Sequence, residues 1–140
     1  MRPLLTPLLP SSLGGSGRRG VTFFSIQKGA AESQAATPAA GLQPINLASE
    51  LHNFADTAAI MCNMDLIVTT DTSVAHLAGA LGRPAWVMLQ FTPDWRWHLN
   101  RQDNPWYPTM RLFRQRKLGD WSGVIDDVVQ ALSQLNPPTP

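Results

Sequence analysis

From residue 21 to residue 135, short apolar runs rich in branched and aromatic side chains alternate with longer segments whose apolar positions recur at helical spacing. Strands covered on both faces have unbroken apolar runs, and helices carry stripes at three- and four-residue intervals. The alternation therefore predicts βαβ units and a parallel sheet. Strands are expected at Val21–Ile26, a short Leu42–Leu47, Asp65–Thr69, Ala85–Leu89 and Met110–Arg114. The run Leu66-Ile67-Val68 predicts burial on both faces and the central place in the sheet. Helices are expected at Ala30–Ala36, ending before Pro38, and at Phe54–Met61, with Asp56 near its start. A third opens at Asp71-Thr72-Ser73 and runs to Leu81, where Gly82 supplies the left-handed stop and Pro84 prevents resumption. Its Val74, Leu77, Ala78 and Leu81 fall on one stripe expected to pack on the sheet. A last helix follows Asp120 as cap, with Val124, Val128, Ala131 and Leu135 on its apolar face.

The flanks break this pattern. Residues 1–20 end in a Gly/Ser-rich stretch with little to bury, which predicts a linker or disordered segment, and residues 136–140 form a proline-rich tail. The folded part is expected as one domain over 21–135. Inside it, Gln90 to Pro108 holds three of the five tryptophans, three prolines and no period; so long a connection in a compact domain is usually functional or mobile.

Composition narrows the function classes. Of 140 residues, 44% are hydrophobic and only 15% charged, and the net charge is +1, so no global field favours nucleic acid or an anionic membrane. Anion binding must then be local. The single cysteine, Cys62, excludes an intrachain disulfide framework and a multi-cysteine zinc site, and its apolar neighbours predict a small buried hydrophobe. No apolar stretch is long enough for a transmembrane helix, and Pro3, Pro7 and Pro10 break the leucine-rich start that a signal peptide would need. The expectation is a cytoplasmic chain without a transmembrane segment.

The densest chemical signal runs from Asp65 to Gly82, where a strand leads directly into a helix. In open α/β sheets ligands sit beyond the carboxyl ends of strands, and a helix N-terminus there offers unpaired amides and partial positive charge to a phosphate. Thr70, Thr72 and Ser73 add hydroxyl donors, and Asp71 can cap the helix or accept from a sugar or ribose hydroxyl. His76, one turn beyond Thr72 and off the apolar stripe, can point to the same place; the alternative is a partly buried packing histidine. A second candidate is Ser25-Ile26-Gln27-Lys28-Gly29 at the end of the first strand. Lys28 there can neutralise diphosphate charge, or it is an exposed turn lysine.

Ser25 to Lys28, the Asp65–Gly82 block and the Pro84–Trp97 run together resemble the C-terminal domain of glycosyltransferase family nine, which includes heptosyltransferases acting in lipopolysaccharide biosynthesis. The Pro93-Asp-Trp-Arg-Trp97 and Asn104-Pro-Trp-Tyr-Pro108 clusters look most like a branch fused to tetratricopeptide repeats, and the similarity covers about Val21 to Leu135. The resemblance implies a Rossmann-like parallel sheet flanked by helices, the donor-binding C-terminal half of a GT-B architecture. It implies that Ser25, Gln27, Lys28, Thr70, Thr72, Ser73 and His76 line a nucleotide-sugar (ADP-heptose among the donors), with Asp71 near the sugar. It further implies inverting transfer with no metal or other cofactor, and an acceptor proton removed by a carboxylate of an N-terminal domain. Only a short linker precedes Val21, so that acceptor domain is expected from a partner chain or the rest of a longer protein, and no catalytic residue is assigned.

The rival reading keeps this fold as a non-catalytic interaction module that docks a partner through an exposed apolar patch. Trp95, Trp97 and Trp106 with Arg96, Arg101, Arg111, Arg114 and Arg116 offer the residue types that bind single-stranded nucleic acid, but Asp94, Asp103 and the near-zero net charge argue against it. Asp71, Ser73 and His76 share one turn and lack the strained elbow of a hydrolase nucleophile. His52, His98 and the adjacent Asp126 and Asp127 have no metal-ligand spacing.

Overall fold

The computed structural model describes residues 21–29 and 44–135; the expected helix at Ala30–Ala36 lies outside them. They fall into two compact units, one formed by the residues up to His52 together with those from Ile125 onward, the other by Asn53–Val124.

In the first unit β1 (Phe24–Ser25) pairs in parallel with β2 (Ile45–Asn46), with Phe24 beside Ile45 and Ser25 beside Asn46. Both are shorter than the expected 21–26 and 42–47 runs. A 3-10 turn, Ala48–Glu50, follows β2 and buries Ala48 and, just after it, Leu51.

The second unit opens with α1 (Phe54–Cys62), close to its expected bounds. Asn53 Oδ1 accepts from the amides of Ala55 (2.8 Å) and Asp56 (3.0 Å), and Asp56 Oδ2 accepts from the Asn53 amide (3.1 Å), so the start is closed by a reciprocal box. Met61 is the buried residue of this helix, whereas Cys62 at its last position is exposed, contrary to the expected buried hydrophobe. Neighbouring helix positions point about 100° apart, and Met61 already takes the inward direction.

Three parallel strands form the sheet of this unit: β3 (Ile67–Thr70), β4 (Ala85–Leu89) and β5 (Met110–Arg114), in that order. Ile67 pairs with Ala85 and Ala85 with Met110, and the register continues to Leu89 beside Arg114. The expected centre was the run at 66–68; within this sheet β4 holds the middle instead. Its Ala-Trp-Val-Met-Leu sequence has no polar member and all five residues are buried, whereas Val68 and Thr70 of β3 are only half-buried. Fully burying a side chain of this size stabilises by about 1.5–3 kcal/mol, which favours placing the least polar strand innermost.

Helix α2 (Ser73–Ala80) connects β3 to β4 and packs on both, beside α1. Gly82 (φ +63°) makes the left-handed exit its position predicts. The buried residues are Ala75 and Ala78: of the expected Val74, Leu77, Ala78 and Leu81 stripe, Ala78 is buried and the other three are half-buried, so the inward face is turned toward Ala75. Small alanines let the helix approach the sheet closely, and the larger side chains flank the contact. Across the carboxyl ends of β4 and β5, the buried Gln115 accepts through Oε1 from the amides of Phe91 and Gly119, both at 3.1 Å. Helix α3 (Trp121–Gln134) starts where Asp120 Oδ1 accepts from the Gly123 amide at 3.2 Å, the expected cap. Val124, Ile125, Val128 and Ala131 are buried; Leu135, expected on the same face, lies past the helix and is exposed.

Candidate functional site

At the carboxyl end of β3 the chain leaves Thr70, bends through Asp71 and Thr72 and enters α2. Thr72 is the residue before the first turn, with extended backbone (φ −143°, ψ 172°), but no side chain accepts a hydrogen bond from the turn's amides. Its hydroxyl lies 3.2 Å from Thr69 Oγ1 and donates to the Thr70 carbonyl at 3.4 Å, held back toward the strand. Asp71, expected to cap the helix or to accept from a sugar hydroxyl, does not cap it. The Ala75 amide is satisfied by the Thr72 carbonyl at 3.0 Å. The amides of Ser73 and Val74 thus have no side-chain acceptor among the described residues, which leaves donors and the positive end of the helix dipole toward solvent. Thr72 and Ser73 are exposed, and Thr70 and Asp71 half-exposed, so the hydroxyls and carboxylate picked out in the sequence do gather at this end.

His76 sits one turn further along α2 and is half-buried. Its ring stacks on Trp97 (centroids 5.4 Å apart, planes at 27°) and meets Tyr107 edge-on at 5.8 Å; its Nδ1 is 3.2 Å from the Tyr107 hydroxyl. The expected packing role is therefore real, and no described protein group occupies Nε2. Trp97 is fully buried, in a 3-10 turn (Trp95–Trp97) begun by Asp94, whose carboxylate accepts from the Arg96 amide at 3.0 Å. Neither aromatic partner of His76 was legible as such. Both lie in the aperiodic Gln90–Pro108 segment, and only tertiary folding brings them to α2.

The rest of that segment is built from local pairs. Buried Asn104 donates to the Arg96 carbonyl (3.1 Å) and accepts from the Trp106 amide (2.8 Å). Arg96 pairs with Asp94 at 2.8 Å and lies over Trp95, and Arg101 grips Asp103 through two bonds of 2.9 and 2.6 Å. The Arg101 guanidinium holds the Asp103 carboxyl below its ordinary range, chiefly by hydrogen bonding. Arg111 lies over Trp86 and Phe113, and Arg114 donates to the Trp97 carbonyl at 3.1 Å, while desolvation lowers its affinity for a proton. Four of the arginines that suggested a polyanion surface are thus engaged within the chain. Trp95 and Trp106 stay exposed, so of the segment's three tryptophans Trp97 alone packs inward.

In the first unit, the Ser25 carbonyl accepts from the Leu47 amide at 2.9 Å, Gln27 is half-buried, and Lys28 donates from Nζ to the Ala48 carbonyl at 2.7 Å. Gly29 follows at φ +85°, a conformation that side chains disfavour. Lys28 is exposed, as expected of a turn lysine, and one of its three donors is anchored to the carbonyl of a buried residue. Lys28 and the Thr70–His76 run belong to different units. Among the described residues no cluster of metal-binding side chains occurs, and no helix is long and apolar enough to cross a membrane.

The sequence model of glycosyltransferase family 9 (heptosyltransferase) matches residues 16–111. Protein FlbA of Caulobacter vibrioides is 32% identical over 120 residues, which cover 81% of this chain and 19% of FlbA. The chain thus spans about a fifth of that curated relative. No solved structure matches.

Proposed function

The chain belongs to glycosyltransferase family 9, and on that premise we propose that it binds the nucleotide-sugar donor of a sugar-transfer reaction, with the diphosphate at the start of α2. The observation that carries this reading is the uncapped first turn of α2 beyond the carboxyl end of β3. The Ser73 and Val74 amides donate to phosphate oxygens, with the hydroxyls of Thr70 and Ser73 and the His76 imidazole as further donors; Thr72 joins them by turning its one hydroxyl proton away from the Thr70 carbonyl. Asp71 accepts from a sugar hydroxyl. Ser25, Gln27 and Lys28 of the first unit are proposed as further donor-binding residues on the strength of the family alone.

Chemically, transfer breaks the bond between the anomeric carbon and the diphosphate oxygen. Donors and cations that bind the departing nucleoside diphosphate more tightly as its charge grows lower that barrier. Inversion needs an acceptor hydroxyl in line on the opposite face and a base to take its proton. In this reading an acceptor-binding domain supplies both, so the chain acts as the donor half of a longer transferase. ADP-heptose is the first donor to test.

Titration calorimetry of the purified chain with ADP-sugars and UDP-sugars tests the proposal. Lys28→Ala is expected to weaken donor binding by about 1.5–3 kcal/mol, the range for a charged hydrogen bond. Unchanged affinity in that variant removes Lys28 from the site. Absence of binding to every nucleotide-sugar overturns the reading.

A further inference from the structure

We propose that Tyr107 is a positioning residue for the donor site, fixing the orientation and tautomer of His76 so that Nε2–H faces the ligand's phosphate. This rests on the reading that a diphosphate binds at the start of α2. His76 is restrained on three sides: the Trp97 plane at 5.4 Å, the Tyr107 edge at 5.8 Å, and a 3.2 Å hydrogen bond between Nδ1 and the Tyr107 hydroxyl. A neutral imidazole has one donor and one acceptor nitrogen, and the bond made by one fixes the role of the other. With Tyr107 Oη–H donating to Nδ1, the proton of the ring resides on Nε2, the nitrogen that has no described protein partner. An Nε2–H is the form an anion requires; the opposite tautomer would turn a lone pair toward it.

Tyr107 is itself held in place beside His76. Its amide donates to the Asn104 carbonyl at 3.2 Å, and its carbonyl accepts from the Met110 amide at 3.0 Å, at the start of β5. Its ring lies against Gly79 of α2, where a Cβ would overlap the ring atoms. Gly79 is thus the opening in α2 that admits the ring, one turn beyond the histidine it contacts. The aperiodic Gln90–Pro108 segment acquires a purpose here: Asn104 ties it down, and Trp97 and Tyr107 close on His76 from it.

The test uses the full 140-residue chain, labelled with 15N, and reads the His76 tautomer by long-range 1H–15N correlation at roughly pH 8.5, well above the ordinary imidazole pKa of about 6.5. ADP affinity is measured by calorimetry. The wild type is expected to show Nε2–H alone, and Tyr107→Phe, which keeps the ring but deletes the hydroxyl, to show a mixture of tautomers. The same variant is expected to bind ADP about 3- to 10-fold more weakly, the loss of one hydrogen bond's net effect, without a matching fall in Tm. Gly79→Ala, which evicts the ring, should reproduce both changes and serves if Tyr107→Phe does not fold. Wild-type binding of ADP together with an unchanged tautomer and affinity in the variants overturns the positioning role alone. A wild-type chain that does not bind ADP overturns this role and the donor-site reading together.

Discussion

Helices α1 and α2 belong to the same unit, yet their first turns are finished differently. At α1, Asn53 and Asp56 satisfy each other's orphan backbone donors, with all three bonds between 2.8 and 3.1 Å. At α2 the residue in the same place, Thr72, turns its hydroxyl back to Thr69 and Thr70, and the first amides have no side-chain acceptor. The start of α3 is capped as well, by Asp120. A closed cap contributes about 1 kcal/mol to stability, so an open one at the carboxyl end of a parallel strand is a local sacrifice of stability. The contrast separates helix starts whose donors are satisfied within the chain from one whose first amides are left to solvent.

The hardest break in this contrast is Trp97→Ala. It empties a fully buried site and removes the plane on which His76 stacks, so it should destabilise the chain by about 3–5 kcal/mol in chemical denaturation while leaving the α1 box intact. A smaller loss would show that the α2 side of the unit does not depend on this contact. Next in size is Ser73→Glu, which puts a carboxylate into the open first turn. Donor affinity should fall at least tenfold, about 1.4 kcal/mol, whereas stability should rise by about 0.3–1 kcal/mol through the helix dipole. Calorimetry and melting are expected to change with opposite signs; a parallel loss of both would show that the first turn of α2 does not trade stability for ligand binding. The smallest effect is expected from Asn53→Ala, which should cost about 1 kcal/mol of stability and leave nucleotide affinity unchanged.

The elements that sequence periodicity located best are those whose cause is local. Ala85–Leu89 and Met110–Arg114 form strands with the expected ends, and Gly82 and Asp120 play the stop and cap that their residue types favour. The misplacements have long-range causes. The inward face of α2 is set by how closely Ala75 and Ala78 let it approach the sheet, and Met61 rather than Cys62 claims the interior because of where α1 lies. Strand order likewise depends on which apolar run finds neighbours on both sides, which no single strand encodes.

The candidate site divides in the same way. Thr70, Asp71, Thr72 and Ser73 are contiguous, so their gathering at one helix start follows from chain connectivity. What surrounds His76 does not: Trp97 and Tyr107 are 21 and 31 residues away, in a segment with no period to interpret. The Lys28 contact with the Ala48 carbonyl, 20 residues on, is similarly a product of folding.

Amide chemical shifts followed during titration with ADP decide whether the open start of α2 is a phosphate site, because both helix starts report in one spectrum. The amides of Ser73 and Val74 are expected to move, with saturation, while those of Ala55 and Asp56 at the closed start of α1 stay still. Shifts at α1 equal to those at α2, or saturable shifts that leave Ser73 and Val74 untouched, would contradict a phosphate site there.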